Sequence, residues 1–247
     1  MACPRCGLFF AHPQPSPEQL EAYYAPDGDW RAGRSSSETT DAQVKGKGKA
    51  GRAVLAALDT LLPPDSRTVF DFGCGTGSWL NMFQDDGWTT FGLEPSSDAA
   101  FVRHQRLQQI PAEERFDLAI AYHVLEHLPR PLDTLIELAG SVKPGGCCFV
   151  SVPRLDRVME HRDTRYCLYP PHHIVSFTEA CLCGLFARAG FEVVRTLHDL
   201  DDLFTKGRPL RLRMIARKTA SPGPCPDPGA ALQTVIAAAS GLFTPKA

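Results

Sequence analysis

No apolar run in this 247-residue chain comes near the ~18 residues needed to span a bilayer, which excludes a transmembrane helix. The stretch Met1-Ala2-Cys3-Pro4-Arg5-Cys6 has no apolar signal core, so secretion is not expected and the predicted location is cytoplasmic. Neither charge is in excess. Twenty-six Lys and Arg stand against 28 Asp and Glu, a formal charge of −2, which supplies no general electrostatic grip on nucleic acid or an acidic membrane. The nine cysteines are odd in number and unevenly spaced, which argues against a disulfide framework and for a reducing compartment. No internal repeat is present. What remains is ordinary globular composition, 43% hydrophobic and 22% charged, which excludes wholesale disorder and is enough for one sizeable core.

The first ~45 residues differ from the rest by pattern. Pro13, Pro15, Pro17 and Pro26 punctuate them around one short helical signal, with Ser16 as cap, Pro17 in the first turn, and Leu20, Tyr23 and Tyr24 on its apolar side. Residues 31–49, polar and rich in Gly, predict a loop. From Ala50 onward helix and strand alternate. Val54, Leu55, Leu58, Leu61 and Leu62 recur at helical spacing until Pro63-Pro64. Strands are predicted over 68–72, 89–93, 116–122, 147–152, 191–194 and 210–216, and helices over 78–86, 97–109, 131–138 and 177–189. That alternation implies a mostly parallel sheet covered on both faces, with its site at the carboxyl ends of the strands. The tail, 219–247, opens with linker composition and carries a short amphipathic pattern over 230–243.

The strongest signal is Asp71-Phe72-Gly73-Cys74-Gly75-Thr76-Gly77, where a strand runs into a glycine-rich turn and a helix. Glycines let a ligand approach the backbone closely, and a helix start offers free N–H groups. A dinucleotide loop would be spaced G-x-G-x-x-G to hold a pyrophosphate. Here the spacing is G-x-G-x-G and an acid, Asp71, precedes it, which disfavours an anion and favours a cationic ligand. Glu94 ends the next strand, where a carboxylate can accept both hydroxyls of a ribose.

As a set, these residues resemble the S-adenosylmethionine site of class I methyltransferases. Further resemblances are Gly92-Leu93-Glu94-Pro95-Ser96, Phe116-Asp117-Leu118-Ala119-Ile120, His123-Val124-Leu125-Glu126-His127-Leu128 and Lys143-Pro144-Gly145-Gly146, so the likeness covers about residues 50–218. The resemblance implies an α/β, Rossmann-like fold: a mainly parallel twisted sheet, helices on both faces, an antiparallel last strand. It implies that Asp71, Gly73, Cys74, Gly75 and Gly77 hold the methionine end of S-adenosyl-L-methionine, Glu94 the ribose, and His123 and Val124 the adenine side. One departure is expected to matter. Only 22 residues lie between Glu94 and Asp117, where relatives fit a helix and another strand. That strand, whose end reads the adenine amine, is expected to be missing, with Glu113 or Glu114 as substitutes.

His123-Val124-Leu125-Glu126-His127 also matches H-x-x-E-H, an inverted zinc-protease motif. It follows a predicted buried strand and not a helix start of the required kind, so that reading is rejected and His127 is taken as a structural histidine bonded to backbone. Cys3-Pro4-Arg5-Cys6 is half of a zinc knuckle, since thiolates at that spacing can share one tetrahedral ion. No second C-x-x-C exists, Cys181-Leu182-Cys183 has the wrong spacing, and His12 is the candidate third ligand. The segment from Cys6 to Pro17 resembles the N-terminal part of a methyltransferase subgroup that includes sugar C-methyltransferases, where a preceding cysteine pair completes the site. Zinc at Cys3 and Cys6 is thus a doubtful second cofactor.

After Ser151-Val152-Pro153-Arg154, about twenty residues including Tyr166, Tyr169, Pro170, Pro171, His172 and His173 precede the next helix, enough to form the wall of an acceptor pocket. His173-Ile174-Val175-Ser176-Phe177-Thr178 resembles a phrase of the same subgroup in which the histidine is the base. His173 is therefore the candidate base, with His172 and Tyr169 beside it. Arg208, Arg211, Arg213, Arg217 and Lys218 alternate with Leu210, Leu212, Met214 and Ala216 and predict a strand with one solvated face, without the interleaved aromatics of a nucleic-acid footprint. The expectation is a methyltransferase domain over 50–218, preceded by a knuckle-like segment and linker over 1–49, acting on a small-molecule acceptor by O- or C-methylation. The rival is a non-catalytic binding or scaffold protein that keeps the fold, favoured by the short 95–116 segment and by the half zinc knuckle.

Overall fold

Parallel strands buried on both faces carry continuous apolar stretches, as Leu118 to Ala121 and Cys147 to Val150 do in Phe116–Tyr122 (β5) and Val142–Pro153 (β6), which follow Thr68–Phe72 (β2) across the sheet. The computed structural model describes residues 1–25, 27–29, 41–95, 102–104, 107–160, 172–197, 210–221 and 233. The other elements are Phe9–Phe10 (β1), Pro17–Tyr24 (α1), Asp41–Leu61 (α2), Ser78–Asp85 (α3), Thr89–Leu93 (β3) and Val102–His104 (β4). After a 3-10 turn at Leu107–Gln109 and β5 come a second 3-10 turn at Leu125–His127, Pro131–Ser141 (α4), β6 and Leu155–Glu160 (α5). Val175–Ser176 (β7), Glu179–Arg188 (α6), Phe191–Thr196 (β8) and Arg211–Lys218 (β9) complete the elements of the described residues.

One seven-stranded sheet has the order β4-β3-β2-β5-β6-β9-β8. Strands from β4 to β6 run parallel, and β9 pairs antiparallel with both β6 and β8, as expected. Helix-borne apolar residues cover each face. Val54, Leu58, Trp79 and Phe83 of α2 and α3 pack with Phe149 and Ile215, whereas Leu135, Leu138, Leu182 and Phe186 of α4 and α6 pack with Phe70 and Phe116. No described helix is long and apolar enough to cross a membrane.

Several expectations are corrected. Residues 41–49 are not loop but the first part of α2, which runs out from the buried anchors Val54, Ala57 and Leu58 despite about 1 kcal/mol of helix cost for each of Gly46 and Gly48. In place of the predicted helix over 97–109 lie β4 and a 3-10 turn; β4 pairs in parallel with β3, Gly92 to Val102 and Leu93 to His104. The strand expected to be missing is present, in three residues. Residues 143–146 belong to β6, with an irregular register beside Phe116 and Leu118. β9 has no solvated face: it lies between two strands and buries Arg213, while Arg217 donates to the Leu61 carbonyl at 2.7 Å. Alternation in a sequence looks the same whether the polar side meets water or packed backbone. Arg208 and the amphipathic pattern over 230–243, Gln233 apart, lie outside the described residues.

The N-terminal segment docks on this fold. β1 pairs antiparallel with β7, Phe9 to Ser176 and Phe10 to Val175. Ser16 caps α1 as expected, with Gln19 N–H donating to Ser16 Oγ and Ser16 N–H to Gln19 Oε1.

At the amino ends of the strands, Asp117 ties three elements together. Its carboxylate accepts from Thr68 N–H at 3.0 Å and Thr68 Oγ1 at 2.6 Å, and Lys143 Nζ lies 3.0 Å from both oxygens. Burial by itself would raise this carboxyl, but the bonds from Thr68 and Lys143 hold it below its ordinary value. A depressed carboxyl stabilises the fold above its unfolded-state pKa, and that contribution is lost as pH falls through the folded value. Asp117→Asn is expected to lower unfolding free energy by about 1–3 kcal/mol at neutral pH. Denaturant melts should show the deficit shrinking in acid; an equal deficit at every pH would refute the assignment.

Candidate functional site

The chain leaves β2 toward β3 and β4 on one side and β5 on the other, so the carboxyl end of β2 opens at a topological switch point. The turn there is built from alternating left-handed residues: Gly73, Gly75 and Gly77 have φ of 75°, 55° and 75°. Side chains rarely adopt this conformation, which is why the glycines fall at every second position. Gly73 N–H and Cys74 N–H donate to the Leu93 carbonyl at 2.8 and 3.1 Å, pinning the turn to the end of β3. Gly77 then caps α3.

The glycines have different duties. A Cβ on Gly73 would come within 2.6 Å of Val124 Cγ2, so this residue lets the 123–127 segment close on the turn. A Cβ on Gly75 would meet nothing within 4 Å, so that glycine faces open space. Gly75 N–H donates to Glu94 Oε2 at 3.0 Å, and Asp71 is buried at the base of the turn. Burial first, then the negative charges of Asp71 and Glu94, push the Cys74 thiol well above its ordinary value. Cys74 is therefore a buried packing residue in a field that favours cations. Two carboxylates around an open glycine backbone fit S-adenosylmethionine, which carries a sulfonium, an ammonium and a ribose diol.

His123 follows β5 with φ of 57°, a left-handed conformation that strains a histidine. Its N–H donates to the Ser151 carbonyl, and its Nδ1 meets Glu126 Oε1 at 2.7 Å. Burial chiefly, with the positive charge of Arg211, lowers the His123 imidazole to about 4 and keeps it neutral, donating from Nδ1. Glu126 is held ionised against its own burial by His123. His123 Nε2 and Glu126 Oε2 are shut off from solvent and have no hydrogen-bond partner among the described residues. The H-x-x-E-H motif is thus a strand end followed by a 3-10 turn, with its first histidine tied to its own glutamate. His127 donates Nδ1–H to the His172 carbonyl at 2.6 Å, the structural bond expected of it.

That bond brings the acceptor-side candidates in. Ile174 N–H donates to the Glu126 carbonyl at 2.9 Å, so His172 and His173 sit against the 125–127 turn. Their rings stack at 4.8 Å. Tyr169 lies outside the described residues. Sequence reasoning missed Tyr23 and Tyr24, assigned to the apolar side of α1. Tyr23 Oη lies 3.5 Å from His172 Nδ1, and the Tyr24 ring meets His127 edge-on at 6.2 Å. Burial above all, followed by Tyr23 and the charges of Glu126 and Glu94, pushes the Tyr24 phenol upward. Adjacent tyrosines on an eight-residue helix were the available signal.

Cys6 lies against Cys181 of α6 and against Cys3; bonding to Cys181, opposed by burial, and then to Leu8 backbone and Cys3 lowers its thiol to about 5. Neither Cys3, Cys6 nor His12 falls in a group of three close ligand atoms among the described residues.

A family described as "methyltransferase domain" matches residues 45–196. Over 102 residues the chain is 31% identical to an uncharacterized methyltransferase of Mycobacterium bovis, covering 36% of this chain and 40% of that one. Over 145 residues it is 29% identical to a probable S-adenosylmethionine-dependent methyltransferase of Mycolicibacterium smegmatis, covering 53% and 54%. The matches thus span about half the length of these relatives or less. The 1,6-didemethyltoxoflavin-N1-methyltransferase of Burkholderia thailandensis, solved with S-adenosylhomocysteine, shares the fold at TM-score 0.61 and 21% identity, covering 85% and 93%. Magnesium protoporphyrin IX methyltransferase from Synechocystis, also with S-adenosylhomocysteine, does so at 0.54 and 19%, covering 77% and 93%. With the glycine turn, both carboxylates and the histidine-bearing segments inside the matched region, the chain belongs to the methyltransferase-domain family, whose cofactor is S-adenosylmethionine.

Proposed function

We propose that this protein is an S-adenosylmethionine-dependent methyltransferase that acts on a small-molecule acceptor at oxygen or carbon. The observation that carries the reading is the open glycine turn with Asp71 and Glu94 at the carboxyl end of β2, against which Val124 packs at the head of the segment that holds the histidine cluster. When bound, S-adenosylmethionine supplies a methyl group activated by its sulfonium. Asp71 and the turn of Gly73, Cys74, Gly75 and Gly77 hold its methionine end, Glu94 exchanges the Gly75 N–H for ribose hydroxyls, and His123 and Val124 border the adenine side. Residues 50–218 form the catalytic unit, and α1 covers its acceptor side.

His173 accepts the proton that a hydroxyl or carbon acid releases as it attacks, with His172 beside it. Tyr23 and Tyr24 keep water from that side. The scaffold alternative loses one of its two supports, since β4 lies in the segment expected to lack a strand.

Acceptor-dependent formation of S-adenosylhomocysteine, followed by mass spectrometry across sugars, phenols and other hydroxylated acceptors, tests the reading. His173→Ala should cut turnover by roughly 10²–10⁴-fold while cofactor affinity stays unchanged. A folded wild-type protein that binds neither S-adenosylmethionine nor S-adenosylhomocysteine in calorimetry would sink the proposal.

A further inference from the structure

His127, His172 and His173 come together from positions up to 46 apart in sequence. Ring centroids are 4.7 Å apart for His127 and His172, 4.9 Å for His127 and His173, and 4.8 Å for His172 and His173. One nitrogen from each ring lies within 4.8 Å of the other two. Around a tetrahedral ion with bonds of 2.0–2.1 Å, ligand nitrogens sit about 3.3–3.4 Å apart, so the set closes with ring movements of roughly 1.5 Å or less.

Two features prepare the rings. His127 gives its Nδ1–H to a backbone carbonyl, which makes Nε2 the lone-pair nitrogen and fixes the ring; metal-binding histidines are held in this way. His172 Nδ1 lies 3.5 Å from Tyr23 Oη of α1, which holds this second ring beside the first. The supports are backbone bonds: Ile174 N–H to the Glu126 carbonyl, and the pairing of β7 with β1. Beneath the cluster, the fully buried Glu126 carboxylate supplies negative charge that offsets a cation.

We infer that His127, His172 and His173 bind one divalent transition-metal ion of the zinc type. Three imidazoles suit Zn²⁺, Co²⁺, Ni²⁺ or Cu²⁺, whereas Mg²⁺ and Ca²⁺ take oxygen ligands. Three protein ligands leave a fourth position of the kind that holds water or a substrate atom. In the metal-loaded protein the His173 lone pair is committed to the ion, so its proton-accepting role belongs to the metal-free protein. The site stands apart from the methyl-transfer reading, because metal binding is read directly.

Full-length protein, stripped with a chelator and titrated with Co²⁺, tests the inference by visible absorption. One equivalent should bind with the bands of a nitrogen-ligated ion and no thiolate charge-transfer band; Zn²⁺ should displace it and excess Mg²⁺ should not. Loss of an outer partner of a ligating histidine costs 10–100-fold in affinity, so loss of a ligand should cost on the order of 100-fold or more. That is the expected result for His127→Ala and for His172→Ala, the latter at a half-buried ring whose removal leaves its backbone bond to His127 in place. Cys3→Ser with Cys6→Ser should leave binding unchanged. Folded wild-type protein, checked by circular dichroism, that takes up no cobalt overturns the inference. So does cobalt held by thiolates, abolished in the cysteine double variant and unaffected by His172→Ala.

Discussion

Asp71→Ala is expected to weaken S-adenosylhomocysteine binding by on the order of 100-fold or more. A buried carboxylate that takes charged hydrogen bonds contributes about 1.5–3 kcal/mol for each, and every 1.4 kcal/mol is tenfold in affinity, so two such bonds reach that size. Asp71 is 1% exposed at the base of the glycine turn, and its charge is felt at Cys74. Asp71→Asn keeps the shape and removes the charge. It should therefore lose more affinity for S-adenosylmethionine, which adds a sulfonium, than for the neutral thioether product. Glu94→Gln retains an acceptor oxygen and should have the smaller effect. Calorimetry on the three variants, each checked for a native melt, measures this. Full affinity in Asp71→Ala would show that the turn holds its ligand in some other way.

Gly73→Ala is the substitution expected to damage the fold most. It forces an L side chain into the left-handed region, at about 1–2 kcal/mol, and drives a Cβ to 2.6 Å from Val124 Cγ2, an overpacking worth about 1–3 kcal/mol. Together these predict roughly 2–5 kcal/mol of lost stability, or about 4–20 °C in Tm for a chain of this size. Val124→Ala in the same protein should recover the overpacking share but not the backbone share. A double-mutant cycle then reads a coupling of about 1–3 kcal/mol. Gly75→Ala is the matched contrast. Its backbone strain is similar, but its Cβ enters open space, so it should melt only about 1–2 kcal/mol below wild type. Its larger cost should be in cofactor affinity, because the methyl occupies the cradle. If Gly73→Ala and Gly75→Ala behaved alike, the division between a packing glycine and a ligand-facing one would be wrong.

Much of the cofactor side was legible before folding was considered. Alternating glycines after an acid record a local backbone demand, left-handed φ at Gly73, Gly75 and Gly77, and no neighbour is needed to decode it. Glu94 was legible for a similar reason, since its place follows from the strand it ends. β4 was not. Its three residues pair through backbone to β3, and backbone pairing has no side-chain signature of its own. The arginines of β9 misled because alternation reports which side is polar but not what that side meets.

The sequence by itself determined the class of fold, the glycine turn with Asp71 and Glu94, and the capped helix α1, because each is set by contacts among near neighbours in the chain. Only the tertiary structure decided that α1 carries Tyr23 and Tyr24 to His172 and His127, and that His127 meets His172 and His173. It also decided that Cys6 lies against Cys181. Those meetings join residues tens to more than a hundred positions apart. They are made by the pairing of β1 with β7 and by the packing of α6 against the sheet, and no local pattern encodes a distance across a folded core.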